Sequence, residues 1–369
     1  MAKPSDETDL RWMLVALTLG RRGQGNCWPN PAVGCVIVKS DRVIGRGWTQ
    51  PGGRPHAEAM ALAQAGAAAR DATAYVTLEP CAHQGQTPPC AGALIDAGIA
   101  RVVTAIEDPD PRVNGGGHAM LRAAGIQVDT GVCAAEAAWD HSGFLSRVRR
   151  GRPVITLKLA MSLDGKIATA TGESKWITGP DARKMGHALR ARHDAVLIGS
   201  GTARADDPTL TVRGLGAKAQ PVRIVVSDGL DLPVPSNLTQ TTSQAQLWVV
   251  HSAAANPERA RVLEAAGARL FEVPEVEGTR DLNAVLAVLG EAGLNRIYCE
   301  GGGTLAASFL RSGLVDELAI FTAGFAIGAE GRAGVSELNL KGLTDAKRFH
   351  LLTQRAVGPD LFSHWVRNP

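Results

Sequence analysis

The chain alternates between stretches whose apolar residues recur at helical spacing and short runs in which nearly every residue is apolar. Residues 9–22 form the first helical stretch, with Leu10, Met13, Leu14 and Leu17 spaced along it and Thr8 or Asp9 placed to cap it. Asn30-Pro31-Ala32 leads into an apolar run at 33–38, a turn at Ser40-Asp41 and a second run at 43–48, which predicts a hairpin. The alanine-rich stretch 57–70 predicts a helix and 74–78 a strand. Pro89 and Cys90 open a helix over 91–97, and strand 101–106, helix 118–124 and strand 126–130 follow. Residues 134–150 predict one helix, ended by the basic, helix-breaking segment 147–153. The second half repeats the alternation. Strands are expected at 154–159, 195–199, 222–226, 246–250, 268–273, 296–299 and 317–322, with helices at 181–191, 258–265, 282–292 and 304–312. Both halves are therefore α/β, the second built on a parallel-rich sheet, whose ligands bind at the carboxyl ends of the strands.

At 369 residues the chain is too long for one ordinary domain. The basic segment supplies a boundary, giving domains 1–147 and 153–369. Hydrophobic residues make up 45% and charged residues 20%, with a formal net charge of +3, so a soluble globular protein without the basic field of a nucleic-acid binder is expected. The basic segment is short, lacks interleaved aromatics and reads as a solvated linker. Six cysteines do not make a disulfide scaffold at this length. Cys27, Cys35, Cys133 and Cys299 read as buried reduced thiols, which suits a cytoplasmic setting. No apolar run reaches membrane-spanning length, and the first residues are too acidic and polar for a signal peptide. A homo-oligomer is allowed.

The chemistry concentrates in Pro55-His56-Ala57-Glu58, Glu79-Pro80-Cys81 and Pro89-Cys90. One imidazole and two thiolates can hold Zn²⁺ in three of four tetrahedral positions, leaving the fourth for water, and a nearby carboxylate can move that water's protons. Residues two apart on a helix point about 200° away from each other, so His56 and Glu58 share a site only where the helix begins. Pro80 suits the opening of a second helix, with Cys81 at the positive end of its dipole, where thiolate is favoured. A structural zinc site would want a fourth protein ligand, which His83 could supply, and has no use for Glu58. In the second half, Arg296 to Thr304 runs a strand through three glycines into a helix, a candidate phosphate cradle that is also readable as a tight turn. Residues 198–202, continuing to Asp206-Asp207-Pro208, read as a polar loop, flanked by Arg190 and Arg213, which could clamp an anion or form surface ion pairs.

His-x-Glu followed by Pro-Cys and a second Cys is the signature of zinc deaminases. With Asn30-Pro31-Ala32-Val33-Gly34, Thr87-Pro88-Pro89-Cys90, Ser162-Leu163-Asp164-Gly165-Lys166, Trp176-Ile177, Ala205-Asp206-Asp207-Pro208 and Glu300-Gly301-Gly302, the chain resembles, end to end, the bifunctional riboflavin-biosynthesis deaminase-reductases of bacteria. The resemblance implies a cytidine-deaminase-like α/β/α domain and a dihydrofolate-reductase-like α/β domain. The first would deaminate the pyrimidine ribotide 2,5-diamino-6-ribosylamino-4(3H)-pyrimidinone 5′-phosphate, and the second would reduce its ribosyl chain to ribityl with NADPH. It makes His56, Cys81 and Cys90 the zinc ligands and Glu58 the proton shuttle. It places NADPH against Ala160, Trp176, Thr202, Asp206, Ser227, Gly302, Gly303, Thr304 and Leu305, and substrate against Ser174, Arg190, Leu210, Arg213 and Glu300. Thr202, Arg204 and Ser227 are candidates for the cofactor's 2′-phosphate. Gln84 and Asn114 stand where the family usually has histidine and alanine, and both are candidates for the pyrimidine pocket. A deaminase of nucleosides or nucleic acid, with an accessory nucleotide-binding domain, would share the zinc site. For nucleic acid it would need a basic, aromatic groove, which two tyrosines and a charge of +3 do not favour. A zinc-stapled binding module with a nucleotide-sensing second domain is the non-enzymatic alternative.

Overall fold

The structure is a computed structural model and describes residues 7–82, 88–216, 219–276 and 279–368. It divides into two compact units, Met1–Gly151 and Arg152–Pro369. His83, Gln84 and Thr87 lie outside the described residues.

The first unit runs α1 (Glu7–Gly20), β1 (Gly34–Lys39), β2 (Arg42–Trp48), α2 (Ala57–Ala65), β3 (Thr73–Val76), α3 (Cys90–Asp96), β4 (Arg101–Thr104), α4 (Gly116–Ala123), β5 (Gln127–Thr130), α5 (Ala134–Asp140) and α6 (Ser142–Arg150). Its sheet has the order β2-β1-β3-β4-β5, antiparallel at β2-β1-β3 and parallel from β3 to β5. The alternation of strand residues fixes two buried layers. Cys35, Ile37, Ala74, Val76 and Val102 pack with Ala57, Ala61, Ala91 and Leu94, while Val36, Val38, Tyr75 and Val103 pack with Trp12, Met13 and Leu17. Backbones come close here. A Cβ on Gly47 would stand 2.3 Å from the Ala57 carbonyl oxygen, so α2 lies almost on β2 and its start is fixed relative to the sheet.

Three expectations are corrected in this unit. Thr8 and Asp9 lie inside α1 rather than capping it, and the Asp9 carboxylate accepts from Arg101 and from the Tyr75 hydroxyl, tying the helix to the sheet. The stretch 134–150 is two helices that meet at His141, whose buried ring reaches Thr77 Oγ1 at 3.0 Å. Pro80 opens no helix; α3 begins at Cys90, with Pro89 as its cap residue.

The second unit contains β6 (Val154–Ser162), β7 (Lys166–Ala168), α7 (Pro180–Arg190), β8 (Ala195–Gly199), α8 (Ser200–Asp206), β9 (Val222–Val226), α9 (Asn237–Gln240), β10 (Leu247–Ser252), α10 (Pro257–Ala265), β11 (Ala268–Val273), β12 (Glu275–Val276), β13 (Thr279–Arg280), α11 (Leu282–Glu291), β14 (Arg296–Cys299), α12 (Gly303–Arg311), β15 (Glu317–Ala323), β16 (Arg332–Ala333), β17 (Phe349–Val357) and β18 (Asp360–Arg367). The nine-stranded sheet has the order β11-β10-β9-β8-β14-β6-β15-β18-β17. It is parallel from β11 to β15 and antiparallel through β18 and β17. The central strands are buried along nearly their whole length, as their continuous apolar runs require. Two features differ from the sequence reading. The polar stretch after β8 is helix α8 rather than a loop, and the C-terminal hairpin of β17 and β18 has no apolar alternation to announce it, because β17 is exposed along most of its length.

Candidate active sites

The first site gathers at the start of α2. His56 is the residue before the helix, in extended backbone, and Glu58 lies in its first turn, which lets two side chains only two positions apart face one cavity. Cys81 follows the end of β3, and Cys90 begins α3. The donor atoms of His56, Cys81 and Cys90 lie within 4.8 Å of one another. Cys90 Sγ is 3.3 Å and Cys81 Sγ 3.8 Å from His56 Nδ1. A tetrahedral zinc with ordinary bonds to sulfur and nitrogen sets that edge at about 3.6 Å, so the trio fits the ion without rearrangement. The α3 dipole still serves Cys81: the backbone N–H of Cys90 donates to Cys81 Sγ at 3.3 Å.

Electrostatics sort the thiols and the acid. The Cys90 thiol donates to Cys81 and holds it down at about 4, aided by His56 and the Cys90 N–H, while Cys90 itself is pushed up. Glu58 is buried, and burial followed by the Cys81 charge pushes its carboxyl up to about 7, the range of a group that both takes and gives a proton near neutrality. Asn30 completes the cluster, its side-chain amide 3.3 Å from His56 Nε2 and donating to the Gly53 carbonyl at 2.8 Å. Glu79 does different work. Its two oxygens accept the backbone N–H groups of Asp108, Gly115, Gly117 and His118 at 2.8–3.2 Å, which pins the segment before Cys81 to the loop that enters α4. Glu79, Glu107 and His118 also form a second group with metal-ligand spacing, but Glu79 is already saturated by these donors. Asn114 is exposed on that loop, which lies against the Cys81 segment: a Cβ on Gly117 would stand 1.9 Å from the Pro80 carbonyl oxygen.

The second site is a cavity of about 1190 Å³ at the carboxyl ends of β6, β14, β8 and β9. Of the expected cofactor residues, Ala160, Thr202, Asp206, Gly302, Gly303, Thr304 and Leu305 line it; of the expected substrate residues, Ser174 and Glu300 do. No side chain caps α12, so its first N–H groups are left for a ligand, and the glycines before it cannot be replaced freely. A Cβ on Gly303 would stand 2.7 Å from the Ala333 carbonyl oxygen. The Gly302 N–H donates to Thr202 Oγ1 at 3.1 Å, joining α8 to the cradle. This glycine-lined, uncapped helix start fits the diphosphate of a dinucleotide.

The remaining expected residues are not in the wall. Trp176 is exposed beneath the Arg183 guanidinium; Ser227 is buried and accepts from the Asp231 N–H at 2.9 Å; Leu210 lies in the core beside Val196 and Leu238; Arg213 is exposed. Arg190 is not in the wall either. It makes a two-pronged pair with Glu300 at 2.5 and 3.1 Å and donates to the Thr211 carbonyl. Burial pushes the Glu300 carboxyl up, but Arg190 and then Lys158 outweigh it and hold the group at about 2. Lys158, 3.8 Å from Glu300, lines the cavity, as do Asp228 and Arg280, and none of the three was expected. Lys158 had a signal, a lysine inside the apolar run of β6. Asp228 and Arg280 had none, since only the fold brings the end of β9 beside β13.

Residues 6–106 match the cytidine and deoxycytidylate deaminase zinc-binding region, and residues 153–362 match the RibD C-terminal domain. The riboflavin biosynthesis protein RibD of Escherichia coli is 43% identical over 97% of this chain and 99% of its own length; that of Aquifex aeolicus is 39% identical over 98% and 99%. The solved structure of Acinetobacter baumannii RibD superimposes with a TM-score of 0.87 at 38% identity, covering 98% of this chain and 99% of that one. A Thermotoga maritima diaminohydroxyphosphoribosylaminopyrimidine deaminase/5-amino-6-(5-phosphoribosylamino)uracil reductase gives 0.85 at 31% identity over the same shares.

Proposed function

This chain belongs to the RibD family, whose members join a zinc-dependent deaminase to an NADPH-dependent reductase in riboflavin biosynthesis, and from that premise we propose which of its residues carry each reaction. His56, Cys81 and Cys90 hold the zinc, supported by the tetrahedral spacing of their donor atoms. When bound, zinc supplies a Lewis acid that lowers the pKa of water towards 7. Glu58 takes the proton from the water that attacks the amidine carbon of the diaminopyrimidine ribotide and returns it to the departing ammonia. Glu79 holds the Cys81 segment at the right distance.

In the second unit, Ala160, Thr202, Asp206 and Gly302 to Leu305 hold NADPH, with its diphosphate on the start of α12. NADPH supplies the hydride for C1′ of the ring-opened sugar in its imine form. A proton must also reach the imine nitrogen. Lys158, beside Glu300 in the wall, is the ammonium that delivers it, and burial lowers its pKa towards that task. Ser174 and Glu300 meet the substrate, Arg190 positions Glu300, and Trp176, Ser227, Leu210 and Arg213 act from outside the wall. The cysteines are not in disulfides, which supports a cytoplasmic setting, and no helix among the described residues is long and apolar enough to cross a membrane. The open edge of β17, with Leu351 and Leu352 exposed, supports pairing with a second copy.

The observation that carries the reading is the join of the two motifs in one chain, a three-ligand zinc set with a buried acid and a glycine cradle beside a Lys-Glu-Arg group. The test is ammonia release from the diaminopyrimidine ribotide. Release from it, and none from cytidine, adenosine or RNA, is expected; preference for any of the latter would overturn the substrate assignment.

A further inference from the structure

The cavity of the second unit has two ends, and the nicotinamide reading above accounts for one. Lys158 on β6 and Glu300 just after β14 line one end, with Ser174 of the segment after β7 also in the wall, and the glycine cradle lies between β14 and β8. A dinucleotide with its nicotinamide at the first and its diphosphate on the second must extend its adenosine across β8 to the end of β9. There the wall is made of Ser200, Gly201, Val226, Asp228 and Arg280.

Asp228 stands two residues past the end of β9, and its carboxylate accepts from Arg280 Nε at 2.6 Å. The Arg280 side chain is 16% exposed, against 52% for Asp228. Arg280 is held there from both sides: it pairs with Glu275 in the β12-β13 ladder, and Asp281, directly after it, uses its carboxylate to cap α11 through the Asn283 N–H. The neighbouring acid is thus occupied, and Asp228 is the carboxylate the guanidinium meets. A carboxylate alone at this position would accept a hydrogen bond from a ribose 2′-hydroxyl and repel a 2′-phosphate. An arginine beside it reverses the sign, because a guanidinium can bind phosphate through two parallel N–H groups. The other cation considered for the phosphate, Arg204, is spent elsewhere, donating to the Asp231 carbonyl at 3.1 Å, and it is not in the wall.

We propose that the Arg280–Asp228 pair is the element that selects a nicotinamide cofactor carrying a 2′-phosphate, with Arg280 as the phosphate's ligand and Asp228 as the anion that Arg280 must offset. The proposal rests on the placement of NADPH in this cavity and adds the residues that tell it from NADH.

Equilibrium titration of the full-length protein with NADPH and with NADH, followed by nicotinamide fluorescence, reads binding without turnover. Arg280→Ala raises the Kd for NADPH by about 10- to 100-fold, the weight of a charge-assisted phosphate contact, and leaves that for NADH within about twofold. The NADH arm reports whether the variant is folded. Competition by 2′,5′-ADP weakens in parallel, and competition by 5′-AMP does not. Asp228→Asn removes the opposing anion and sharpens the preference for NADPH, while Arg204→Ala leaves the ratio of the two constants as in the wild type. Equal losses for both cofactors in Arg280→Ala, or a collapse of the ratio in Arg204→Ala instead, would overturn the assignment while leaving NADPH in the cavity. Failure of the wild-type protein to bind either cofactor would instead remove the reading on which the proposal rests.

Discussion

Single residues decide whether the first site can work as a catalytic rather than a structural centre. Three protein donors meet at His56, Cys81 and Cys90, and beside them stands an acid, Glu58, with no fourth ligand among the described residues. Cys81→Ser removes one of three ligands, so zinc content measured by metal analysis should fall well below one per chain, together with ammonia release. Full zinc retention in that variant would remove Cys81 from the set. Glu79 makes a second prediction at this scale. Its carboxylate accepts four backbone N–H groups, and Glu79→Gln places an amide donor against two of them. A loss of about 2–3 kcal/mol of stability is expected in chemical denaturation of the variant. A change below about 0.5 kcal/mol would mean that water satisfies these donors as well as Glu79 does. These residues were legible to different degrees. The zinc trio and Glu58 announce themselves by residue type and spacing. Glu79 could be seen beside Cys81, but its load of backbone donors depends on where the Gly115–His118 turn lands, which no local pattern encodes.

At the scale of elements, what the sequence reveals follows burial. The central parallel strands are legible because both faces are covered, as in Ala195–Gly199, where no residue is polar. The C-terminal hairpin is not, because Phe349–Val357 lies at the sheet edge with nearly every side chain in solvent. Helix α8 escapes for another reason: Ser200 and Gly201 are poor helix formers, and the segment is helical because tertiary packing buries Ala203 against Val196 and Leu210. The break between α5 and α6 falls at His141, marked in the sequence by nothing more than the Ser142-Gly143 pair that follows it. That histidine gives a pH dependence. Burial holds its imidazole down to about 4, so it is neutral in the folded protein and protonated in the unfolded chain below about 6.5. The unfolded state therefore binds the extra proton, and stability falls as pH drops from about 6.5 towards 4, by about 1.4 kcal/mol per unit. Denaturation midpoints at pH 7 and 5 should differ less in His141→Asn than in the wild type; an equal slope would show that His141 is already charged when folded. Among loops, the cradle before α12 is the sharpest case. Gly303→Ala drives a methyl into the Ala333 carbonyl, so NADPH binding should weaken at least tenfold by titration, with zinc content unchanged.

For the whole molecule, every residue proposed for the zinc chemistry lies in the unit Met1–Gly151 and every one proposed for hydride transfer lies in Arg152–Pro369. The central claim is that one chain carries two separate active centres. Glu58→Gln keeps the shape of the side chain and leaves the three zinc donors in place while removing the base. Ammonia release from the diaminopyrimidine ribotide should then fall by about 10²-fold or more, the usual weight of general acid-base catalysis. The decisive measurement supplies this variant with the already deaminated 5-amino-6-(5-phosphoribosylamino)uracil and follows NADPH oxidation. Oxidation at the wild-type rate is the predicted result, and a slowing as severe as that of ammonia release, in a folded protein that still holds its zinc, would contradict it.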